Sequence, residues 1–343
     1  MFDDHDAEAW WIPYAASMSS SHDEHHDEHH HEHHHENGAH SHDHARLDEA
    51  DWAAMAQTTE EWGEVLQGFV LGTIERVKEL RGSYKNMPSI DRIIDVGSGP
   101  AVAATSFAAA FPAAHVTAVD SSPGMLAHGI ARANRLGFSD RIEFVEAELP
   151  DGLHGLDHAD LIWASMSLHH VGDEVAALRA MGELLRADGM IAIAEFPTGE
   201  GPLTALRSIL ERVEPGLLQR VTQAGAAWFD SMRSGLAGSQ PSRTVPEMIE
   251  AAGLEVVYSN VERLHFEAPL SSAARRVAAR NLNMARNQMA TYLTHDDIAT
   301  LEALASETDP RGIVNRDDLT FTVSQLIVIA THGHRSRYNS TGQ

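Results

Sequence analysis

The middle of the chain alternates between short apolar runs and stretches whose apolar residues recur at helical spacing. Such alternation is typical of a mostly parallel sheet with helices packed on both faces. Strands are predicted at about 92–96, 115–119, 142–145, 160–164 and 190–195. Helices are predicted between them at about 101–110, 123–136 and 173–186, with Gly189 expected to close the last of these helices.

Helical and strand patterns also flank this alternating region. Apolar residues recur at helical spacing from Trp52 to Leu80, which predicts two helices before the first strand. Beyond the fifth strand, helical segments alternate with two further strand candidates, which we expect to close one edge of the sheet in antiparallel order. The predicted segments there are a helical insertion at about 201–237, a helix at about 244–252, a strand at about 254–266, a helical segment at about 271–306 and a strand at about 318–330.

Charge and composition exclude several functional classes. The formal net charge is −25 at pH 7, and a surface this acidic repels nucleic-acid phosphates unless a basic cluster offsets it, which the sequence does not show. The chain has no cysteine, which excludes disulfides, thiolate metal ligands and cysteine nucleophiles. Met1 to Tyr14 carries acids where a signal peptide is basic, and no apolar run approaches the roughly 20 residues of a membrane span. We therefore expect a cytoplasmic protein that binds neither nucleic acid nor membrane.

Residues 22–44 form a low-complexity tract of histidines interleaved with Asp and Glu. The tract has almost nothing to bury, so we predict that it is disordered, as part of an acidic leader over residues 1–50. Imidazoles beside carboxylates bind divalent ions such as Ni²⁺ and Zn²⁺, but a tract without fixed geometry binds them weakly and unselectively. The candidate metal ligands are His25, His26, His29, His30, His33 and His34.

The first strand of the alternating region leads into a glycine turn, and the second ends on a carboxylate. Gly97 and Gly99 let the backbone approach a ligand closely, and Asp120 is placed to accept hydrogen bonds from both hydroxyls of a ribose. The dinucleotide fingerprint G-x-G-x-x-G is broken, because position 102 is Val. The negative charge of Asp95 would repel a phosphate and attract a cationic ligand. A sulfonium nucleoside is therefore expected to fit this turn better than NAD.

These residues resemble the class I S-adenosylmethionine-dependent methyltransferases. The resemblance covers about residues 52–330, and the C-terminal sequence together with the His-rich leader is similar to a subgroup that methylates small molecules. It implies a Rossmann-like α/β fold and S-adenosyl-L-methionine as the methyl donor. The segments that carry it are Asp95 to Gly99, Ala118 to Asp120, Ala147 to Leu149, Asp160 to Ser165 and Leu168 to His170.

The family pattern implies a role for each matching position. Asp95 to Gly99 would form the wall around the methionine moiety, and Asp120 would hold the ribose hydroxyls. Glu148, where the family usually has Asp, would accept a hydrogen bond from the adenine amino group, and Ser165 would face the sulfonium. The full implied cofactor set, in which Ser121 and Met125 flank the adenine, is Asp95, Gly97, Ser98, Gly99, Asp120, Ser121, Met125, Glu148, Leu149 and Ser165.

Candidate acid-base groups follow the fourth and fifth strands. His169 and His170 come where the fourth strand opens toward the cleft, and because an imidazole titrates near neutrality, either is a candidate general base. Glu195, at the end of the fifth strand, is interpreted as a structural carboxylate. Trp228, Phe229 and Met232 on the inserted helix form either a lid on the substrate pocket or, more often for such a stripe, ordinary helix core.

The predicted function is methyl transfer from S-adenosyl-L-methionine to a small organic acceptor, with O-, N- and C-methylation left open. The alternatives are a metal-binding or metal-sensing protein that uses the His-rich leader, and a nicotinamide-dependent oxidoreductase. The predicted organisation is a leader at 1–50, N-terminal helices at 51–88, a cofactor-binding core at 89–200, a helical substrate cap at 201–253, a C-terminal strand pair with helices at 254–334 and a tail at 335–343.

Deleting residues 22–44 tests the metal alternative. We expect the full chain to bind Ni²⁺ and Zn²⁺ weakly and at several sites, and the deletion to remove this binding without changing cofactor affinity. Equilibrium dialysis with metal analysis measures the binding. Tight, stoichiometric binding of one metal by the full chain would instead support a metal-sensing protein.

Overall fold

The computed structural model describes residues 49–83, 88–201, 203–236, 238–239 and 243–333, with the side chains of 49–52 left aside. Three predictions concern residues outside these ranges: the metal ligands of the leader, the disorder of its His-rich tract and the tail at 335–343.

Seven strands form one sheet in the described part of the chain: β1 (Arg92–Val96), β2 (His115–Asp120), β3 (Ile142–Glu146), β4 (Ala159–Ser165), β5 (Leu185–Glu195), β6 (Leu254–Phe266) and β7 (Phe321–His332). Their order across the sheet is β3-β2-β1-β4-β5-β7-β6. The first five strands pair in parallel, whereas β7 pairs antiparallel with both β5 and β6. The predicted seven-stranded, mostly parallel sheet with an antiparallel strand pair at one edge is therefore confirmed.

The helices are α1 (Glu49–Val65), α2 (Gln67–Gly82), α3 (Val102–Ala110), α4 (Pro123–Leu136), α5 (Glu174–Glu183), α6 (Arg207–Val213), α7 (Leu217–Ser234), α8 (Val245–Ala251), α9 (Ser272–Gln288) and α10 (His295–Ala305). The two N-terminal helices and the helical insertion after β5 lie where the apolar spacing predicts them. The segment predicted as helical at 271–306 is divided into α9 and α10, because Thr294 and Asp297 form a capping box that starts a new helix. None of the helices within the described ranges has the length and hydropathy of a bilayer-spanning segment.

Helix α4 begins and ends on residues suited to those positions. The Ser122 hydroxyl accepts a hydrogen bond from the backbone N–H of Met125, and Pro123 occupies the first turn, where no backbone donor is needed. Gly137 ends the helix in the left-handed conformation, with φ of +77°. Because Ser122 comes two residues after the end of β2, this cap fixes how the chain leaves the sheet.

The expected role of Gly189 is wrong. Helix α5 ends at Glu183, and β5 begins at Leu185, so Gly189 lies within the strand. Ala159 pairs with Leu185 but Leu161 pairs with Met190, which leaves an irregularity in β5 between these two pairs. A Cβ on Gly189 would come within 3.0 Å of the carbonyl oxygen of Ala159, so the glycine serves a close backbone approach rather than a helix end.

The sheet is covered on both faces because successive strand residues point in opposite directions. Ile93 packs with helices α2, α3 and α4 in a cluster that includes Phe107 and Trp163, whose rings meet edge to face at 5.8 Å. Its neighbour Ile94 packs on the opposite face in a cluster with residues of α5 and α8, including Leu178. The core is therefore the three-layer arrangement that the alternating sequence predicts.

A further apolar cluster lies over the start of β7, outside these layers. It joins buried residues of the inserted helices α6 and α7 to residues of α9 and α10 and to Phe321 of β7. Leu66 and Phe69, near the junction of α1 and α2, belong to the same cluster. We call this set the cap cluster, since it joins the inserted helices and the N-terminal helices into one body above the sheet.

The buried carboxylate of Asp160 anchors the beginning of β1. Its Oδ2 accepts hydrogen bonds from the backbone N–H groups of Asp91 and Arg92, both at 2.9 Å. Arg186, within the irregular part of β5, donates to both carboxylate oxygens at 3.0 and 2.9 Å. Hydrogen bonds to a charged group contribute more to stability than bonds between neutral groups. Without Asp160, the backbone N–H groups of Asp91 and Arg92 would lose this partner.

We expect Asp160→Ala to lower the free energy of unfolding by about 3 kcal/mol, because buried charge-assisted hydrogen bonds are lost and their donors stay behind. Asp157→Ala is the matched control: this exposed aspartate pairs with Arg92 at the surface and should contribute less than about 0.5 kcal/mol. Urea unfolding followed by circular dichroism measures both. Equal losses in the two variants would contradict the anchoring role.

Candidate active site

A cleft opens beside the carboxyl ends of β1, β2 and β4, where the strand order reverses. In open parallel sheets, ligands bind at this reversal. Of the residues predicted from the sequence to hold a cofactor, Gly97, Asp120, Ser121 and Leu149 line the cleft. The structure therefore brings together parts of the chain that follow three different strands.

The glycine turn after β1 forms one wall of the cleft. Gly97 and Gly99 have φ of +68° and +50°, which favour glycine. The N–H groups of Gly97 and Ser98 both donate to the carbonyl of Val119, at 2.8 and 2.9 Å, and so tie the turn to β2. A Cβ on Gly97 would lie 2.4 Å from that of Ser167, so glycine is required by a close approach as well as by φ.

The Asp120 carboxylate is the polar centre of the cleft. One oxygen accepts from the backbone N–H of Gly99 at 2.8 Å and the other from the backbone N–H of Ser122 at 2.9 Å. The side chain is 2% exposed, and burial raises the pKa of its carboxyl despite these two hydrogen bonds. Each carboxylate oxygen keeps a further lone pair, so Asp120 is able to accept hydrogen bonds from ligand hydroxyls while it holds the turn.

The other sequence-predicted residues occupy different surroundings. Met125 is buried and packs with Met55 and Ala56 of α1, so the N-terminal helix covers its side chain. Glu148 is half-buried after β3, and burial raises the pKa of its carboxyl. Ser165 is half-buried at the end of β4. The sequence analysis missed Ser167, which lines the cleft and contacts the glycine turn.

The two candidate bases differ in their surroundings. The Nδ1 atom of His169 lies 2.7 Å from Oε2 of Glu195, whose Oε1 accepts from the backbone N–H of Leu168 at 3.0 Å. His169 is half-buried, whereas His170 is only 7% exposed. Burial, followed by the neighbouring charges of His169 and Arg233, holds the pKa of His170 well below its ordinary value. Of the pair, His169 has the more accessible ring and a defined carboxylate partner.

The inserted helix α7 is attached to the turn that carries His169. Arg233 donates to the carbonyl oxygens of His169 and Val171, at 3.2 and 2.8 Å, and pairs with Glu174 at 2.6 Å. The Phe229 ring lies 6.1 Å from the imidazole of His169. Side chains of α7 therefore contact the candidate base directly, which supports the interpretation of this helix as a lid.

Two curated methyltransferases and one solved structure illustrate what this chain is similar to. The chain is 29% identical over 189 residues to a demethylmenaquinone methyltransferase from Clavibacter sepedonicus, covering 54% of this chain and 73% of that one. It is 29% identical over 123 residues to the 27-O-demethylrifamycin SV methyltransferase of Amycolatopsis mediterranei, covering 36% of this chain and less than half, 44%, of that enzyme. The solved YcgJ protein of Bacillus subtilis is 14% identical with a TM-score of 0.43, covering 76% of this chain and 97% of that one.

A family model described as a methyltransferase domain matches residues 93–189, the stretch from β1 into β5 that carries the glycine turn, Asp120 and His169. The chain contains a domain of the class I S-adenosylmethionine-dependent methyltransferases over these residues. It is an enzyme, and its cofactor is S-adenosylmethionine. These matches support neither the metal-sensing nor the nicotinamide-dependent alternative.

Polar atoms of Ser121 in the cleft, and of Asp95 and Ser98 next to cleft-lining residues, lack a partner within the described ranges, which suits this cofactor. Among the described residues, Oδ2 of Asp95 and the hydroxyls of Ser98 and Ser121 are buried without a hydrogen-bond partner. Buried polar groups are almost always paired. Groups of this kind beside Asp120 suit a ligand that carries hydroxyl and ammonium donors, as S-adenosylmethionine does.

Asp95 is a buried titratable group next to the cleft-lining residues Val96 and Gly97. It is 2% exposed, and burial raises the pKa of its carboxyl to about 7; a hydrogen bond from the backbone of Ala104 acts against this rise, and the charge of Asp120 adds to it. A positively charged ligand favours the ionised carboxylate. Binding of the cationic cofactor should therefore lower this pKa and release a proton.

A second group of charged residues attaches α1 to α4. Glu60 of α1 accepts hydrogen bonds from His128, Arg132 and Arg135 of α4. Burial raises the pKa of Glu60, but the hydrogen bonds from His128 and Arg132 and the arginine charges bring it below its ordinary value. The basic residues recur at helical spacing on one face of α4, and this pattern is visible in the sequence. Their partner Glu60 lies more than 60 residues earlier in the chain, and the sequence does not indicate that they pair.

We expect affinity for S-adenosylmethionine to rise with pH up to about 7 and then level off. Below pH 7 the Asp95 carboxyl of the free protein is protonated, so each lower pH unit should weaken binding by up to about tenfold as a proton must be displaced. Asp95→Asn should bind more weakly at pH 7.5 and lose the dependence. Titration calorimetry in buffers of different ionisation enthalpy measures both affinity and proton release, and proton uptake on binding would contradict this account.

Proposed function

We propose that this methyltransferase transfers a methyl group to a small, largely apolar organic acceptor that binds between the cofactor cleft and the inserted helices. The observation that carries the proposal is the contact between α7 and the turn after β4. Phe229 faces His169 across 6.1 Å, and His169 lies between Ser167 and Val171, both of which line the cleft. An acceptor bound beside Phe229 would therefore be adjacent to the cofactor site.

Partly buried apolar side chains support an acceptor of apolar character. Trp62 of α1, Trp228 of α7, and Leu264 and Phe266 of β6 pack against the cap cluster without being fully buried. Small-molecule sites are typically lined by such side chains with a few placed polar groups. The charge of −25 on the chain further disfavours nucleic acid as the acceptor.

The named relatives are consistent with this class of acceptor. One is named for demethylmenaquinone and the other for 27-O-demethylrifamycin SV. We propose an organic molecule of that general size for this chain, held by a cap formed mainly by residues 201–253 over a cofactor-binding core at 89–200, with 254–334 completing the sheet.

When bound, the cofactor supplies a methyl group already activated by a positively charged sulfur. The chain's own residues then have mainly to bind, orient and exclude water, and positioning alone contributes several kcal/mol to such a reaction. We propose that Asp120 accepts from the ribose hydroxyls, that Asp95 faces the cationic end, and that the glycine turn lets the backbone approach. Glu148 remains the candidate partner of the adenine amino group.

Methyl transfer from isotopically labelled S-adenosylmethionine to a metabolite extract, followed by mass spectrometry, tests the proposed function. We expect label in low-molecular-weight products and none in added DNA, RNA or protein. Asp120→Ala should weaken S-adenosylhomocysteine binding by about thirtyfold or more, because ribose hydrogen bonds to a charged acceptor are lost, equivalent to about 2 kcal/mol.

Asp157→Ala is the control for this experiment, since it removes an exposed carboxylate that pairs with Arg92 away from the cleft. It should leave both affinity and transfer unchanged. Absence of S-adenosylhomocysteine binding by the unmodified protein, or transfer of label to a macromolecule alone, would overturn the proposal.

A further inference from the structure

We propose that Gln325 binds the methyl acceptor through a hydrogen bond between its side-chain amide and a neutral oxygen of the acceptor, a carbonyl or a hydroxyl. This oxygen is separate from the atom that receives the methyl group. The proposal rests on the function proposed above and adds to it a recognition residue and a chemical feature of the acceptor. It is carried by the burial of Gln325 and by its place at the end of the sheet.

Gln325 interrupts an apolar stripe on one face of β7. Alternate residues of a strand point to the same face, and its neighbours on this face are Phe321, Val323, Ile327 and Ile329, all of them buried. Phe321 and Val323 belong to the cap cluster, whereas Ile327 and Ile329 belong to the cluster between the sheet and helices α2, α3 and α4. A polar side chain therefore lies at the boundary between two apolar clusters.

The pairing register places Gln325 just beyond the carboxyl end of β5. Leu326 pairs with Glu195, the last residue of β5, so Gln325 is the next residue of β7 past that end. Ligands of open parallel sheets bind outside the carboxyl ends of the strands. Oε2 of Glu195 lies 2.7 Å from Nδ1 of His169, whose ring faces Phe229 of α7. Gln325 thus lies at the end of the sheet where the acceptor is proposed to bind.

The amide of Gln325 is nearly enclosed but is not paired by the protein. The residue is 4% exposed, and its side chain forms no hydrogen bond with any residue that the structure describes. A glutamine amide offers two N–H donors and a carbonyl acceptor, and buried polar groups are almost always paired. An oxygen of a bound acceptor would supply the missing partner.

The neighbouring strand presents a polar group beside Gln325, but that group bonds elsewhere. Glu262 of β6 pairs directly opposite Gln325, and opposite residues of paired strands share a face. Its Oε1 accepts hydrogen bonds from Tyr258 and from Asn260, the latter at 3.0 Å. These two hydrogen bonds lower the pKa of the Glu262 carboxyl despite its partial burial. Glu262 is therefore ionised at neutral pH and bound to other donors.

The surroundings of Gln325 favour a neutral oxygen over an anionic one. The amide carries no charge, and the charge of Glu262 across the strand pair would repel a carboxylate or a phosphate at this position. A carbonyl oxygen would accept from the amide N–H groups, and a hydroxyl could also donate to the amide oxygen. Val323 and Ile327, on either side of Gln325, suit an apolar skeleton. We therefore expect an apolar acceptor with a neutral oxygen substituent.

The test measures how four naphthalene probes bind to the full chain saturated with S-adenosylhomocysteine. The probes are 2-naphthol, 2-acetylnaphthalene, 2-methylnaphthalene and 2-naphthoate, which present a hydroxyl, a carbonyl, no oxygen and a carboxylate. We expect the hydroxyl and carbonyl probes to bind about tenfold more tightly than the methyl probe, because each gains a hydrogen bond. The carboxylate probe should gain nothing. Gln325→Met, which removes the amide but keeps the side-chain length, should abolish the difference. Equilibrium dialysis measures the affinities.

The stability of the free protein separates recognition from a structural role. Gln325→Met removes a buried amide that the protein does not pair, so it should raise the thermal midpoint by about 2 °C. Gln67→Met is the matched control, since the Gln67 amide donates to the Ser106 hydroxyl at 2.9 Å. This control should lower the midpoint and leave every probe affinity unchanged. S-adenosylhomocysteine affinity should be the same in all three proteins.

The inference is overturned if the unmodified protein binds none of the probes or binds all four equally, or if Gln325→Met weakens all four by the same factor. Tightest binding of 2-naphthoate would contradict a neutral oxygen. A lower midpoint in Gln325→Met with unchanged probe affinities would assign the amide to the fold, with an enclosed water as its partner. S-adenosylhomocysteine binding and labelled methyl transfer by the unmodified protein are measured separately, so failure of the proposed function is distinguishable from each of these outcomes.

Discussion

The buried carboxylate of Asp120 fixes the relation between the glycine turn and the helix that follows β2. Its oxygens accept the backbone N–H groups of Gly99 and Ser122, so the end of the turn and the cap of α4 are positioned by one side chain. Helix α4 in turn carries the basic residues that hold Glu60 of α1. The N-terminal helix is therefore placed against α4, beside the candidate cofactor site, through contacts that begin at this carboxylate.

Much of this fold could be predicted from the sequence, because its strands are short apolar runs and its helices carry strong end signals. Helix α4 was predicted over 123–136 and has these bounds, owing to Pro123 at its start and Gly137 after its end. Gly189 was misassigned because glycine serves both helix ends and close strand contacts. The irregular pairing of Ala159 and Leu161 with β5 shows that this glycine makes a close strand contact. The residues around Gly189 do not by themselves specify that strand register.

The candidate site was predictable where its residues directly follow a predicted strand, and unpredictable where a contact depends on packing between elements. The glycine turn and Asp120 could be identified, since each comes at the end of an apolar strand of the alternating pattern. The sequence analysis named both His169 and Glu195 but could not predict that they pair. Their pairing depends on the parallel register of the neighbouring strands β4 and β5. Likewise, only packing shows that Met125 is covered by Met55 of α1.

The two halves of the site differ in how their buried charges are balanced. Asp95 and Asp120 are buried close enough for their charges to interact, with pKa values raised by burial, and the protein supplies them with backbone amides rather than cations. Burying charge without a counter-charge is unfavourable, so a cationic ligand should stabilise the folded chain as well as bind to it. At Glu195 the protein supplies the partner itself, in His169. The carboxylates beside the glycine turn are thus left for a ligand to balance, whereas Glu195 already has its partner within the protein.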